Sequence, residues 1–371
     1  MTLRKILGKI HLWLGLATGL VIFIIALTGA IYCFAAELQD ATQPYRFVTP
    51  TNKYFLPPSQ IKTIAEQKIN SKDVQRIYYG AKDKSVYVLF SGKKGFSYAV
   101  FINPYTGEVL KVKNLQKDFF TVVLKLHRTL LIPYGEVIIK WSTLIFLIML
   151  ISGIILWWPK NKAASKQRFS IKTGTSFKRL NYDLHQVLGF YASWIALFSA
   201  LTGLIFSFDW FANKVYDLTR ARHSLVQKKA PLSDTITITK GTFSLPIDLV
   251  WNKLQPDLKE KYVAVEFILP KDKQGSILVR AKPENGTLYK MDFHYFDQYT
   301  GKEIPGSYVW GKYTDAYTAA DKIKRMNYDI HTGAILGWPG RIAVFFAALI
   351  VASLPVTGFY IWWGRTKNKK V

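Results

Sequence analysis

Four stretches of the chain, residues 12–36, 137–158, 187–208 and 342–363, are almost continuously apolar, and each reaches the roughly 20 residues a helix needs to cross a hydrocarbon core. Between them the pattern changes. Residues 85–90 and 276–279 alternate with period two and predict strands, while 61–69 and 246–253 carry the spacing of short amphipathic helices. The pattern predicts an α-helical membrane protein: four transmembrane helices with two α+β domains outside the bilayer. The expected boundaries are 1–36 for the first helix, 37–118 for the first domain and 119–158 for a pre-helix and the second membrane helix. A loop at 159–181, the third helix at 182–208, the second domain at 209–325, a pre-helix and fourth helix at 326–363 and a tail at 364–371 complete the chain.

The second half repeats the first. His11, Gly15 and Leu27-Thr28-Gly29 recur 174 residues later as His185, Gly189 and Leu201-Thr202-Gly203. Leu126-His127 recurs as Ile330-His331 at an offset of 204, and Ser152-Gly153 and Trp157-Trp158 recur as Thr357-Gly358 and Trp362-Trp363 at 205. The domains repeat through Asn103-Pro-Tyr-Thr-Gly107 and Asp297-Gln-Tyr-Thr-Gly301. In each, glycine supplies the positive φ of a tight turn and the Asn or Asp side chain closes it. An internal duplication of helix, domain and helix follows.

The net charge of +26 changes the picture less than its size suggests. Fourteen of the excess positive charges lie in three segments without a single acid: residues 1–10, 159–181 and the tail after Trp363. By the positive-inside rule both termini and the central loop are cytoplasmic and both domains are outside, so the charge follows topology and calls for no nucleic acid. The two Trp-Trp pairs are expected as anchors at the inner interface. The first apolar run is too long for a cleaved signal peptide and is read as retained. Cys33, the single cysteine, is read as a helix-packing residue and excludes both an internal disulfide and a C-x-x-C-H haem attachment.

Of six histidines, four (His11, His127, His185 and His331) stand at the N-terminal approach to the four membrane helices. Because successive helices alternate direction, His11 and His185 enter from one side and His127 and His331 from the other. A repeat-related pair of imidazoles across a bundle is the arrangement that supplies both axial ligands to a haem iron, so two non-covalent haem b groups are expected, one near each face. Zinc fits less well, since it usually takes three or four protein ligands. Small residues (Gly15, Thr18, Gly19, Gly189, Ala192, Gly333 and Gly337) suit either a flat macrocycle or close helix packing. Arg128 and Arg179, with Lys9 and Arg325, are candidate partners for haem propionates. Asn181 with Asp183, and Asn327 with Asp329, precede their histidines and are expected to cap helices. Pro133 and Pro339 predict a kink between His127 or His331 and the following helix, so that a short re-entrant or interfacial helix presents each ring. His223 and His294 have no repeat counterparts and are read as ordinary surface or strand residues.

Leu126-His-Arg-Thr-Leu130, Ser152-Gly153 followed by Trp157-Trp158, and the two Tyr-Thr-Gly turns resemble the PepSY-associated transmembrane family, over nearly the whole chain. The resemblance implies a bacterial cytoplasmic-membrane protein with PepSY-like domains outside, in which His11, His127, His185 and His331 ligate haem and electrons pass outward to reduce iron in a ferric siderophore or other ferric chelate. Fused members carry a reductase domain after the fourth helix; only Arg365–Val371 follows that segment here, so a separate donor, quinol or a cytoplasmic reductase, is expected. Two other readings stand beside this one: a non-catalytic PepSY membrane module that binds peptides or proteases, and a b-type cytochrome subunit of another electron-transfer chain.

Overall fold

The computed structural model describes residues 2–92, 96–159, 161, 165, 168–219, 230–235, 246–306, 310–315 and 318–367. His223, Lys160, Lys162 and Lys166 lie outside the described residues. The first half runs α1 (Leu3–Cys33), α2 (Ala35–Thr42), α3 (Pro58–Ile69), β1 (Val74–Tyr79), β2 (Val86–Ser91), β3 (Ser97–Ile102), β4 (Val109–Asn114), α4 (Phe119–Thr129) and α5 (Gly135–Trp157). The second runs α6 (Phe177–Asp183), α7 (Gly189–Ser207), α8 (Asp209–Leu218), α9 (Pro246–Glu260), β5 (Ala264–Ile268), β6 (Ile277–Lys282), β7 (Asp292–Phe296), β8 (Glu303–Ile304), α10 (Ala319–Thr332) and α11 (Gly337–Lys367). Helices α6 and α7 join through a wider turn, Leu184–Leu188, into one helix from Phe177 to Ser207. The chain forms two compact units, residues 1–35, 122–215 and 327–371 in one and 36–121 and 216–326 in the other.

The first unit is a four-helix bundle and the chain is a helical membrane protein, with four helices long and apolar enough to cross a bilayer. Helix α1 packs on α5 and α11, and α7 packs on the same two. Their shared core is made of small and branched side chains, among them Ile22, Leu150, Ala196, Ala200 and Val351. In lipid no hydrophobic force drives helices together, so close approach through small residues supplies the attraction. Gly19 shows this, because a Cβ there would stand 3.1 Å from the Cβ of Pro355, the proline inside α11. Gly15 meets the Met149 methyl at 3.1 Å and Gly189 meets Leu354 at 3.4 Å. These are the contacts of close helix packing.

Each end of the bundle is closed by an arginine on a neighbouring helix's last carbonyls, groups that a helix C-terminus leaves without intrahelical donors. Arg4 donates to Leu156 O and, at 3.2 Å, to Trp158 O. Arg341 donates from Nε to Cys33 O at 3.1 Å, and Cys33 itself is buried. The first Trp pair divides its labour. Trp158 is exposed, whereas Trp157 is buried and stacked on Phe190 with centroids 3.6 Å apart.

The kink expected at Pro133 is present as a break; in the second half the break falls earlier, at the turn Ala334–Leu336, and Pro339 lies in the first turn of α11, where a proline costs no hydrogen bond. Helix α4 ends at Thr129, and the turn to α5 holds Leu130, Leu131 and Tyr134 at φ of 51°, 55° and 58°. Gly135 starts α5 where any Cβ would collide with Thr129 O at 1.7 Å. Gly340, in the first turn of α11, is as tightly placed, with any Cβ 2.2 Å from Gly333 O. The one-residue change in repeat offset falls in this stretch, between His127 and Gly135 in the first half and His331 and Gly340 in the second.

The second unit holds one eight-stranded antiparallel sheet, ordered β4-β3-β2-β1-β5-β6-β7-β8. The two expected α+β segments are therefore halves of one sheet, joined where β1 pairs with β5 through Ile77 opposite Phe267 and Tyr79 opposite Val265. Helices α3 and α9 lie over a common core in which Tyr79, Phe90, Trp251, Phe267 and Phe296 are at most 2% exposed. Two devices pin the junction. Glu266 on β5 accepts from Arg76 on β1 at 3.4 Å and from Arg280 on β6. Asp248, in the first turn of α9, accepts from Ser59 N at 3.0 Å, placing its charge at the N-terminus of α3. The predicted Tyr-Thr-Gly turns are formed, with Gly107 and Gly301 at φ of 78° and 67°. Asn103 Oδ1 accepts from Tyr105 N at 2.9 Å, and Asp297 Oδ1 from Tyr299 N at 3.0 Å and Thr300 N at 2.8 Å.

Candidate functional site

The four repeat-related histidines stand at two levels of the membrane bundle. His11 lies inside α1 and His185 inside the long third helix, in its wider turn. The helices begin some residues before the apolar windows do, because the amphipathic extensions at Leu3 and Phe177 continue them. His127 and His331 sit in the last turns of the separate short helices α4 and α10, as expected. At 1.5 Å of rise per residue, His11 and Thr28 on α1 mark levels roughly 25 Å apart, and Thr28 is hydrogen-bonded to His127.

Each ring is fixed in the same way. The Nδ1 of His11 lies 2.9 Å from Ser152 Oγ, and that of His185 lies 2.8 Å from Thr357 Oγ1. His127 Nδ1 lies 2.9 Å from Ile25 O and 3.2 Å from Thr28 Oγ1, and His331 Nδ1 lies 3.0 Å from both Ser199 O and Thr202 Oγ1. A carbonyl can only accept, so His127 and His331 carry their proton on Nδ1. The other two follow one step removed. Ser152 gives its single hydroxyl proton to Met149 O at 3.0 Å, and Thr357 gives its own to Ser353 O or Leu354 O at 3.1 Å, which leaves each oxygen to accept from the imidazole. All four rings are thus Nδ1–H tautomers, with a bare electron pair on Nε2, and among the described residues no Nε2 has a hydrogen-bond partner. Such an outer hydrogen bond sets the tautomer, turns the ring and raises the donor strength of the free nitrogen.

Glycine follows every one of the four hydroxyl residues, and each stands against the histidine held by its neighbour. A Cβ at Gly29 would lie 3.2 Å from His127 Cε1, at Gly153 3.4 Å from His11, at Gly203 3.6 Å from His331 and at Gly358 3.2 Å from His185. Within each half the first membrane helix both gives and receives: α1 offers His11 to Ser152-Gly153 of α5 and takes His127 of α4 on its own Thr28-Gly29, and the third membrane helix likewise offers His185 to α11 and takes His331 of α10. Across the halves, the His127 and His331 rings come to 6.3 Å between centroids at 70°. His11 and His185 lie within electrostatic reach of one another.

The family model described as the PepSY-associated TM region matches residues 9–365. The chain belongs to this family. No curated protein matches the chain.

In this PepSY-associated TM protein the two Asn-Tyr-Asp-x-His segments do not cap helices. Asn181 and Asn327 lie within α6 and α10, one turn before His185 and His331 and on the same helical face. Asn181 Nδ2 donates to Thr357 O at 3.0 Å and Asn327 Nδ2 to Thr202 O at 3.3 Å. Each asparagine therefore grips the carbonyl of the residue whose hydroxyl its histidine uses. Asp183 is buried and pairs with Arg179 at 3.0 Å, and Asp329 is fully buried. Arg179 is accordingly held by its own helix. Arg128 is exposed beside His127, with no ion pair among the described residues, and Lys9 is exposed on α1. Arg325 belongs to the sheet-bearing unit, where it is buried and donates to Tyr289 O at 3.0 Å and to Met291 O, a structural clamp. His294 is a buried strand residue whose Nδ1 lies 3.1 Å from Glu303 Oε1. The hydroxyls, glycines and asparagines were not singled out as site residues from sequence, although the repeat that places them was legible.

Proposed function

We propose that this protein holds two b-type haems, His11 with His185 and His127 with His331, and passes single electrons outward across the bacterial cytoplasmic membrane to a ferric chelate such as a ferric siderophore. The observation that carries the reading is the common state of the four rings: Nδ1–H engaged by a hydroxyl or carbonyl, Nε2 bare, in two pairs. Two imidazoles bound through Nε2 to one metal, at about 2 Å per bond, have centroids roughly 6 Å apart, and the outer pair stands at 6.3 Å. Two donors per level suit a macrocycle that brings its own four nitrogens. Among the described residues no group of three His, Cys, Asp or Glu side chains suits a bare ion.

Bound haem supplies one-electron redox chemistry. The chain supplies the rest. Ser152, Thr28, Thr357 and Thr202 hold the rings in the ligating tautomer, and the four glycines leave room for them to approach the helix backbone. His11 with His185, and His127 with His331, would each hold one haem through two imidazoles, and haem held in this way would supply electron transfer and not ligand activation. Iron reduced from Fe(III) to Fe(II) is bound less tightly by hard oxygen ligands and is released. With termini at the cytoplasmic face, as the basic segments favour, electrons enter at the His11–His185 level from a separate donor. The test is ferric-chelate reduction by purified protein in vesicles with reductant on one side only. Outward reduction that fails in His11→Ala and in His127→Ala supports the proposal; haem-loaded protein unable to reduce any ferric chelate would leave a cytochrome subunit serving another acceptor.

A further inference from the structure

At the bundle end that bears the chain termini lies a cavity of about 470 Å³, with Phe177, Asn181, Tyr182, Tyr360, Trp363 and Arg365 in its walls. Beside it an open groove of about 650 Å³ runs down the bundle along Leu20, Phe23, Pro355, Val356 and Phe359. The two share Tyr360 and Trp363 and are continuous through them. One is rimmed by polar groups and aromatic rings and the other is walled chiefly by apolar side chains, so together they match an amphiphile with a flat head and a hydrocarbon tail.

We infer that this cavity and groove bind an isoprenoid quinol, its ring among the aromatic side chains and its tail along the groove, which on the proposed function makes it the electron donor. Flat rings stack well on aromatic faces, and the volume lies in the range of small-molecule sites. Position favours a redox head over a passive one. Asn181 in the cavity wall sits one turn before His185 and holds Thr357 O at 3.0 Å, while Thr357 holds His185. The head is thus one residue removed from the inner histidine pair. Arg179, also in the wall, has its charge matched by Asp183. Lys178 and Arg365 stand exposed at the mouth, where they attract the electron-rich oxygens of a quinol. The step balances: both quinol O–H bonds break, two protons pass to water at the open mouth, the ring becomes the quinone, and two ferric ions on the far side each take one electron.

The test is photolabelling of the full-length protein in nanodiscs by an azido-quinone with a two-isoprene tail, mapped by peptide mass spectrometry, on haem-loaded and haem-free protein alike. The expected result is label on 176–182 and 355–365, displaced by the unlabelled two-isoprene quinol and not by phosphatidylglycerol. Trp363→Ala and Val356→Trp, verified as folded by circular dichroism and gel filtration, weaken labelling tenfold or more. Label elsewhere, or label displaced by phosphatidylglycerol but not by quinol, overturns the inference, the second result marking an anionic-lipid site. Labelling does not depend on haem, so its failure leaves the two-haem proposal standing, and a protein without haem still gives a readable labelling result.

Discussion

His185 and Thr357 are joined twice over: the imidazole Nδ1 lies 2.8 Å from the threonine hydroxyl, and Asn181, one turn before the histidine, donates to the same threonine's carbonyl at 3.0 Å. The second histidine of the repeat, His331, has the same double tie to Thr202, through its hydroxyl at 3.0 Å and through Asn327 at 3.3 Å. A ring fixed this way has its Nε2 aimed in one direction.

Removing the hydroxyl tests that tie. Thr357→Val removes the hydroxyl that lies 2.8 Å from His185 Nδ1, and on the two-haem reading an outer-shell loss of this kind costs about 10–100-fold in metal-site affinity. On the two-haem reading one haem is lost more readily and its midpoint potential rises, because a less polarised imidazole donates less charge to the oxidised metal. Thr357→Ser restores both. Redox titration of the variants checks this, and equal effects on both haems would contradict it.

The glycines predict a graded series. Gly358→Ala sets a methyl 3.2 Å from His185 Cε1 and forces a small shift, while Gly203→Ala, at 3.6 Å from His331, meets only ordinary contact. On the two-haem reading, Gly358→Val therefore strips one haem, Gly358→Ala weakens it and Gly203→Ala leaves the His331 site intact. Haem content per chain in the three variants reads the order.

Asp297 makes the sheet-bearing unit sensitive to acid. Burial pushes its carboxyl up, but backbone hydrogen bonds from Thr300, Asp234 and Tyr299 and the Thr300 hydroxyl outweigh this and hold it below the usual carboxylate range. A carboxyl with a lowered folded pKa contributes stability above its unfolded value of about 3.9, and that contribution disappears as pH falls through the folded value. Asp297→Asn keeps an oxygen for the turn, as Asn103 does in the other half, so its unfolding midpoint should vary less between pH 5 and pH 3 than the parent's. Denaturant melts at the two pH values measure it.

Phe267 sits at the junction of the two repeats, fully buried, with ring centroids 6.0 Å from Trp251 and 6.3 Å from Tyr79. Phe267→Ala should destabilise the sheet-bearing unit by about 3–5 kcal/mol, seen as an earlier unfolding transition. A change under about 1 kcal/mol would mean that the repeats do not depend on their shared core.

The apolar windows and the repeat made the membrane helices and the histidine levels legible, since hydrophobic length and fixed offsets are properties of sequence alone. The joining of two α+β segments into one sheet was not, because period-two alternation says which face a residue takes and nothing about which edge strand it meets. The Asn-Tyr-Asp-x-His segments were misread as caps for a related reason. Asn181 and Asn327 bond across to another helix, whereas the cap expectation rests on local preference. The i→i+5 turn around His185 has no counterpart in a hydropathy pattern, and such turns gather at functional sites. Ser152, Thr28, Thr202 and Thr357 were visible as repeat markers, but their role needed the neighbouring helix.

The most direct test of the account is the visible spectrum of detergent-purified protein, oxidised and then dithionite-reduced, with a pyridine haemochrome to count haem per chain. Two b-type haems with low-spin reduced bands are expected, one lost in His11→Ala or His185→Ala and the other in His127→Ala or His331→Ala. Protein expressed with ample haem that binds none, or whose haem survives all four substitutions, would contradict it.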